Sequence, residues 1–355
     1  MMPKVIFFIV PQLRYGGGEK QFYLLLKYID RTRFRPCVIC LEKGGDLVDV
    51  IRGLEIEVFE IPGGKIYQIK SMVALFRKYK PEVVHTWLNN EWGRIAAILH
   101  RFSGGAVKII ASERDEMHHS SRRFRGFFIL FGRFLSFFSD AVTFNSPKAL
   151  NAFADGWYNR KACVFIGNGV EAKEIKNNIQ ADSENKLVVA VVARLVSQKS
   201  HDFLLRALSK FERRNQCEVW LLGDGNLRVN LERLSAQLEL EQCVKFLGAR
   251  TDIPSYLTQA SVGMLVSSSE GFSNAVLEYL ANGLAVVLTD AGANSMCVDQ
   301  NGFIVSDESD IVKALSFYLD NPSVLREHRL RSLALAREYG IENIVSLYQR
   351  LYLNG

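Results

Sequence analysis

Residues 270–290 read EGFSNAVLEYLANGLAVVLTD. Gly271 supplies a turn, Ser273 or Asn274 a helix cap, and "AVLEYLANG" an apolar helix closed by Gly283. The run "LAVVLTD" that follows is apolar without alternation, so the strand it predicts is buried on both faces, as in a parallel sheet covered by helices. Glu270 stands before the helix and Glu278 lies inside it, eight residues on. A helix that only packs has no use for either carboxylate. The start of a helix directs backbone N–H groups beyond the strand end, and carboxylates accept hydrogen bonds from vicinal hydroxyls. Alone, each Glu reads as a solvated charge. As a pair bracketing a capped helix start, they predict a strand-end site for an anionic, polyhydroxylated ligand.

The same alternation of apolar strand and amphipathic helix runs through the whole chain. Strand candidates in the first half are "VIFFIV", "CVICLE", "IEVFEI", "VVHTW", "KIIASE", "AVTFNS" and "CVFIGNGV". In the second half they are "KLVVAVVARL", "EVWLLGDG", "VKFLG", "VGMLVSSSE" and "LAVVLTD". A chain of 355 residues exceeds what one core usually serves. The polar stretch "EAKEIKNNIQADSENK" is the natural break. The expected organisation is therefore a Rossmann-like domain over 1–170, a linker over 171–185 and a second Rossmann-like domain over 186–338. A final helix over 339–355 is expected to return to the first domain. In doubly wound α/β folds, ligands sit at the carboxyl ends of the strands, so a cleft between the domains is the expected site.

Composition narrows the ligand. With 48% hydrophobic and 23% charged residues the chain reads as an ordinary globular enzyme, and its net charge of +6 suits an anionic ligand or an anionic membrane. The basic residues are scattered and no nucleic-acid motif appears, so nucleic acid is not expected as a partner. Six cysteines in this length form no dense disulfide framework and fit a reducing cytoplasm. Cys37 and Cys40 share a strand candidate at a spacing that puts them on opposite faces, which predicts burial rather than redox or zinc chemistry. The apolar run after Lys4 is too short for a signal peptide or a membrane span.

Two further motifs join the acidic pair. In "VVARLVSQKSHDFLLRAL" a strand runs out into Arg194, and Lys199 follows just before a helix. A guanidinium fork and a point charge at a strand end can neutralise a diphosphate. In "LRYGGGEKQFYLLLKYI", the glycines at 16–18 let the backbone approach a ligand, although the spacing is not G-x-G-x-x-G. His85, in "VVHTWLNN", also ends a strand and is read as either an acceptor contact or a structural hydrogen bond.

Together with "LLGDGNLR", "VKFLGARTDIPSYL" and "GNGV", these motifs resemble family 4 of the retaining glycosyltransferases, over nearly the whole chain. The resemblance implies the GT-B fold, with two Rossmann-like domains facing across a cleft, and sugar transfer from a nucleotide donor, UDP-linked, without a metal. It implies that Arg194 and Lys199 bind the donor diphosphate and that Glu278 binds the ribose. Glu270, with Phe272, Ser273 and Asn274, would hold the donor sugar. Gly223, Gly225, Leu227 and Arg250 would lie along the base, and Gly17 and Gly18 near the phosphates. The family's usual cleft histidine is replaced here by Arg114 at a strand end or by His118 on the loop after it. The implied acceptor is a polyprenyl-diphosphate oligosaccharide or lipopolysaccharide. A UDP-sugar epimerase and a non-catalytic nucleotide-sugar binder are the competing readings.

The segment "RRFRGFFILFGRFLSFFSD", from Arg122 to Asp140, interleaves four arginines with seven phenylalanines. It predicts a helix that lies on an anionic membrane face through 122–138, or one packed on the sheet with snorkelling arginines. A cytoplasmic protein, peripheral on the inner face of the cytoplasmic membrane, is the expected setting.

Overall fold

The structure, a computed structural model, describes residues 2–88, 90–114, 125–154, 162–176 and 186–353. It divides into two compact units, Met1–Gly169 with Ile341–Gly355, and Val170–Gly340.

The first unit carries strands β1 (Lys4–Val10), β2 (Phe34–Cys40), β3 (Glu57–Glu60), β4 (Val83–Trp87), β5 (Lys108–Glu113), β6 (Ala141–Phe144) and β7 (Cys163–Phe165). They form a seven-stranded parallel sheet in the order β3-β2-β1-β4-β5-β6-β7. Its helices are α1 (Gly17–Tyr28), α2 (Leu47–Arg52), α3 (Lys65–Tyr79), α4 (Glu91–Phe102), α5 (Arg125–Ser136) and α6 (Pro147–Ala154). The continuous apolar strands feed cores on both faces. Phe8, Val38 and Cys40 pack into one core, while Phe7, Ile39 and Cys37 pack into the other. Cys37 and Cys40 thus sit on opposite faces of β2, and burial pushes both thiols up to about 11.

The second unit carries β8 (Leu187–Val192), β9 (Cys217–Leu222), β10 (Val244–Gly248), β11 (Val262–Leu265), β12 (Ala285–Thr289) and β13 (Gly302–Val305), in the order β10-β9-β8-β11-β12-β13. Its helices are α7 (His201–Ser209), α8 (Arg228–Gln237), α9 (Ile253–Leu257), α10 (Asn274–Ala281), α11 (Glu308–Asp320) and α12 (Pro322–Glu338). β13 is absent from the strands expected from the sequence. It is a short edge strand with only Val305 buried, so it lacks the apolar run that marks the others. Residues 177–185 of the expected linker lie outside the described residues. Residues 171–176 belong to the second unit, where Lys176 N–H donates to the Ala281 carbonyl at 2.7 Å.

The last helix, α13 (Ile341–Leu353), belongs to the first unit and packs on α1. Tyr348 and Tyr352 are about 1% exposed. The Tyr352 ring lies 5.7 Å from that of Phe34 and 6.1 Å from that of Phe8, and its hydroxyl meets His85 Nδ1 at 2.9 Å. Tyr352→Phe is expected to cost about 1–2 kcal/mol by stripping His85 of that partner. Tyr352→Ala is expected to cost about 3–5 kcal/mol by opening a cavity as well. Denaturant unfolding of the two variants separates the polar and packing contributions: a Tyr352→Phe variant as stable as wild type would refute the assigned role of the hydroxyl, and equal losses would refute the packing contribution.

Candidate functional site

In the second unit the sheet order reverses beside β8, which pairs β9 on one side and β11 on the other. The loops leaving β8 and β11 therefore diverge and leave an opening at their carboxyl ends. Beyond Val192, the chain passes the exposed Arg194 and enters a turn at Ser197–Lys199. Beyond Leu265 it passes Ser267–Ser269 to Glu270. Lys199 Nζ donates to Glu270 Oε1, and the two side chains are only 15% and 9% exposed. Two further bonds hold the loops in register. Ser268 N–H donates to the Gln198 carbonyl at 2.9 Å, and Gln198 Nε2 donates to the Ser269 carbonyl at 2.8 Å. Gln198 has no counterpart among the residues singled out from the sequence.

Glu270 is also fixed from the β12 side. Gly292 has φ +57°, and a Cβ there would stand 2.0 Å from the Glu270 carbonyl oxygen, so only glycine lets this loop close. Ser273 caps α10, its hydroxyl accepting from Val276 N–H at 3.5 Å. Tyr279 anchors the helix to both neighbouring strands: its hydroxyl accepts from Val192 N–H at 2.6 Å and donates to the Met264 carbonyl at 3.2 Å. That fixes the half-buried Glu278, one residue before it. Phe272 is 5% exposed, its ring 5.3 Å from that of Tyr339, so only its backbone is placed to serve a ligand.

The glycine loop after β9 is laced to the same opening. Gly223, at φ +150°, would place a Cβ 2.0 Å from the Ala193 carbonyl oxygen, and its N–H donates to the Gly248 carbonyl at 2.8 Å. Leu195 N–H donates to the Asp224 carbonyl at 2.9 Å, and Leu227 N–H to the Leu195 carbonyl at 3.0 Å. Arg194, Gly223, Gly225 and Leu227 therefore belong to one connected rim. Arg250, two residues past β10, is exposed and lies 5.6 Å from the Tyr256 ring centroid. What the rim offers is a guanidinium, an ammonium, two carboxylates and a helix N-terminus on the segments that follow β8 and β11, groups that bind phosphates and hydroxyls. Among the described residues, no set of three or more His, Cys, Asp or Glu side chains is grouped to hold a metal ion.

In the first unit, Gly17 and Gly18 open α1 after β1, and Trp87 Nε1 donates to the Gly18 carbonyl at 3.1 Å. Arg114 follows β5 and is 8% exposed. It donates to Asn168 Oδ1 at 2.9 Å and to the Tyr348 hydroxyl at 2.8 Å, and lies 4.0 Å from the Trp87 ring centroid. Much of its hydrogen-bonding capacity is thus directed at the fold. His118 lies outside the described residues. His85 is fully buried, with Nδ1 on the Tyr352 hydroxyl and Nε2 on the Ser112 hydroxyl at 2.7 Å, so it serves the core. Burial, then the positive charge of Arg114, pushes it down to about 3.

Residues 15–174 match the model of Glycosyltransferase Family 4, and residues 186–321 that of Glycosyl transferases group 1. The chain is 29% identical over 225 residues to the lipopolysaccharide core biosynthesis glycosyltransferase LpsE of Rhizobium meliloti, covering 61% of this chain and 63% of that protein. It is 27% identical over 186 residues to a Campylobacter jejuni N-acetylgalactosaminyltransferase acting on a diphospho-undecaprenol saccharide, covering 50% of each. The chain thus spans between half and just under two thirds of the length of these curated relatives. The crystal structure of Anabaena HepE in complex with UDP superposes with a TM-score of 0.84 at 19% identity, over 98% of both chains. The fold is GT-B. Within it, the chain belongs to the family 4, group 1 glycosyltransferases.

His201, the first residue of α7, is 2% exposed, and neither ring nitrogen has a hydrogen-bond partner among the described residues. Burial, then the neighbouring Lys199 charge, pushes it down to about 4. It is neutral in the folded protein, whereas the unfolded chain takes up a proton below about pH 6.5. Stability is therefore fully present above about pH 6.5 and is lost as the pH falls towards 4. His201→Leu is expected to add about 1–2 kcal/mol at neutral pH by removing an unpaired polar ring, and more at pH 5. Denaturant midpoints at the two pH values check this; an equal change at both would rule out the titration.

Proposed function

We propose that this protein transfers a glycosyl unit from a UDP-sugar, with retention of anomeric configuration, to a lipid-linked or cell-surface glycan. The observation that carries the reading is the Lys199–Glu270 pair at the switch point of the second unit, beside Arg194 and the start of α10. Departure of a nucleoside diphosphate develops negative charge, and fixed cations with a helix N-terminus stabilise it where it forms. Glu270 accepts hydrogen bonds from the donor sugar and Glu278 from the ribose. A bound diphosphate draws Lys199 from Glu270 and frees that carboxylate for the sugar. The UDP complex of HepE supports the choice of nucleotide, and the names of the Rhizobium and Campylobacter proteins support the acceptor class.

Glu270→Ala is expected to lower transfer at least about a hundredfold with UDP affinity kept within a few-fold, because it removes a transition-state contact. Glu278→Ala is expected to weaken UDP itself about tenfold. Calorimetry with UDP and product formation from labelled UDP-sugars, using a membrane extract as acceptor source, distinguish the two. Similar mild losses in both would reduce the acidic pair to scaffolding.

The protein also docks on a membrane through its first unit. Leu130, Phe134 and Phe137, from α5 and the turn after it, are 56–63% exposed, and Leu99 and Phe102 of α4 add to the apolar surface. The Phe134 and Phe138 rings lie 5.4 Å apart, and Phe138 meets Phe102 at 5.9 Å, which joins α4 and α5 into one patch. Arg122, Arg123 and Arg125 supply positive charge at the start of this segment of sequence. Among the described residues no helix is long and apolar enough to cross a membrane, and the attachment proposed here is peripheral. Phe134→Ser/Phe137→Ser is expected to abolish flotation with phosphatidylglycerol vesicles. Equal flotation of wild type and variant would remove this surface from the proposal.

A further inference from the structure

The loop that leaves β11 carries Glu270 and opens α10, and part of what holds it comes from the far end of the second unit. The Gly271 carbonyl accepts from Ala293 N–H at 2.9 Å, so the loop leans on the segment after β12. That segment turns at Asn294–Cys297, and its Met296 carbonyl accepts from the Tyr339 hydroxyl at 2.9 Å. Tyr339 closes α12, and its ring returns to the loop. It meets the Phe272 ring edge to face, with centroids 5.3 Å apart and planes at 68°. Gly271, Ala293, Met296, Tyr339 and Phe272 thus form a closed circuit of contacts inside the second unit.

Tyr339 is pinned at both ends. Its hydroxyl is held by Met296, and its carbonyl accepts from Val170 N–H at 2.9 Å, beside the bridge of Val170 to Gly340. A ring tied at its tip and at its backbone is a fixed surface, whereas simple filling of the space beneath Phe272 would need no tie at the tip. Phe272 stands between Glu270 and Ser273, the cap of α10, so its backbone governs both the carboxylate and the start of the helix. We infer that Tyr339 is a positioning residue for the donor: its ring is the stop against which Phe272 rests, and it sets where Glu270 and the first N–H groups of α10 meet the sugar. The consequence for turnover rests on the glycosyl-transfer reading; the stop itself rests on the contacts. A displacement of about 1 Å at a reacting group can cost about a hundredfold in rate. Nucleotide binding depends less on this loop, because Arg194 and Lys199 lie on another segment and Glu278 is fixed through Tyr279.

Variants of the full chain test this. Tyr339→Leu removes the ring, Phe272→Leu removes its counterpart, and Tyr339→Phe keeps the ring but loses the bond to Met296. With labelled UDP-sugars and a fixed amount of membrane extract, turnover is expected to fall about tenfold in Tyr339→Leu and in Phe272→Leu. KM for the donor and calorimetric UDP affinity are expected to stay within about threefold of wild type. The double variant is expected to lose no more than about twofold beyond either single one, since both changes remove the same contact. Tyr339→Phe is expected to stay within about threefold of wild-type turnover, because the ring remains against Phe272. Hydrogen exchange reads the loop apart from transfer: amides of 271–274 are expected to exchange about tenfold faster in Tyr339→Leu and Phe272→Leu, with those of β8 and β9 unchanged. Unchanged turnover, losses that multiply in the double variant, or UDP affinity lost in step with turnover overturns the assignment. So does a Tyr339→Phe variant as impaired as Tyr339→Leu. If the wild type transfers no sugar, the glycosyl-transfer reading falls and exchange alone decides: faster exchange at 271–274 upholds the stop, and unchanged exchange removes it. Should Tyr339→Leu not fold, Phe272→Leu carries both readouts.

Discussion

The constraint on which this structure rests is the reversal of strand order beside the first strand of each sheet. β1 is flanked by β2 and β4, and β8 by β9 and β11. A right-handed crossover from β8 to β9 runs one way, and the path onward from β11 to β12 runs the other. The loops at the carboxyl ends must then part, and the sheet cannot fill the space between them. In the second unit that space receives Lys199 from one side and Glu270 from the other. Strand order, fixed by burial of apolar runs, thus determines where charge collects.

The pairing also settles an electrostatic problem. An ammonium 15% exposed and a carboxylate 9% exposed would each be costly to hold alone, and each compensates the other. The contact holds both groups in position at the loop ends. Arg194, by contrast, is exposed and needs no such arrangement. Buried charge is kept paired and solvated charge is left open, so the rim carries potential without an isolated charge in its wall.

The sequence showed much of this because the relevant signals are local. Unbroken apolar runs gave β1, β8 and β12, and the Ser273 cap and Gly283 stop gave α10. β13 escaped because an edge strand with one buried residue has no such run. The environment of Arg114 was illegible for a different reason: its partners Asn168 and Tyr348 are 54 and 234 residues away and meet it only through the fold. Likewise, the Phe-rich segment was visible, but the contribution of Leu99 and Phe102 depends on the packing of α4 against α5. Spacing reports what a residue's own element does; it is silent about what a distant element brings.

The chain solves a topological difficulty at its end. The first unit is finished only by residues 341–355, so the whole of the second unit is an insertion between Gly169 and Ile341. The entropic cost of closing a loop rises only with the logarithm of its length. A folded insertion lowers that cost further when its own termini are adjacent. Here Val170 N–H donates to the Tyr339 carbonyl at 2.9 Å, and Val170 pairs with Gly340 as a parallel bridge, so both ends of the insertion are held together from within. On the other side, Gln21 clamps Gly169 through both of its amide atoms, at 2.9 and 2.8 Å. α13 then arrives with Tyr348 for Arg114 and Tyr352 for His85. Each group also has a partner elsewhere in the first unit, Asn168 for Arg114 and Ser112 for His85, so the last helix completes the pairing of both rather than supplying it alone.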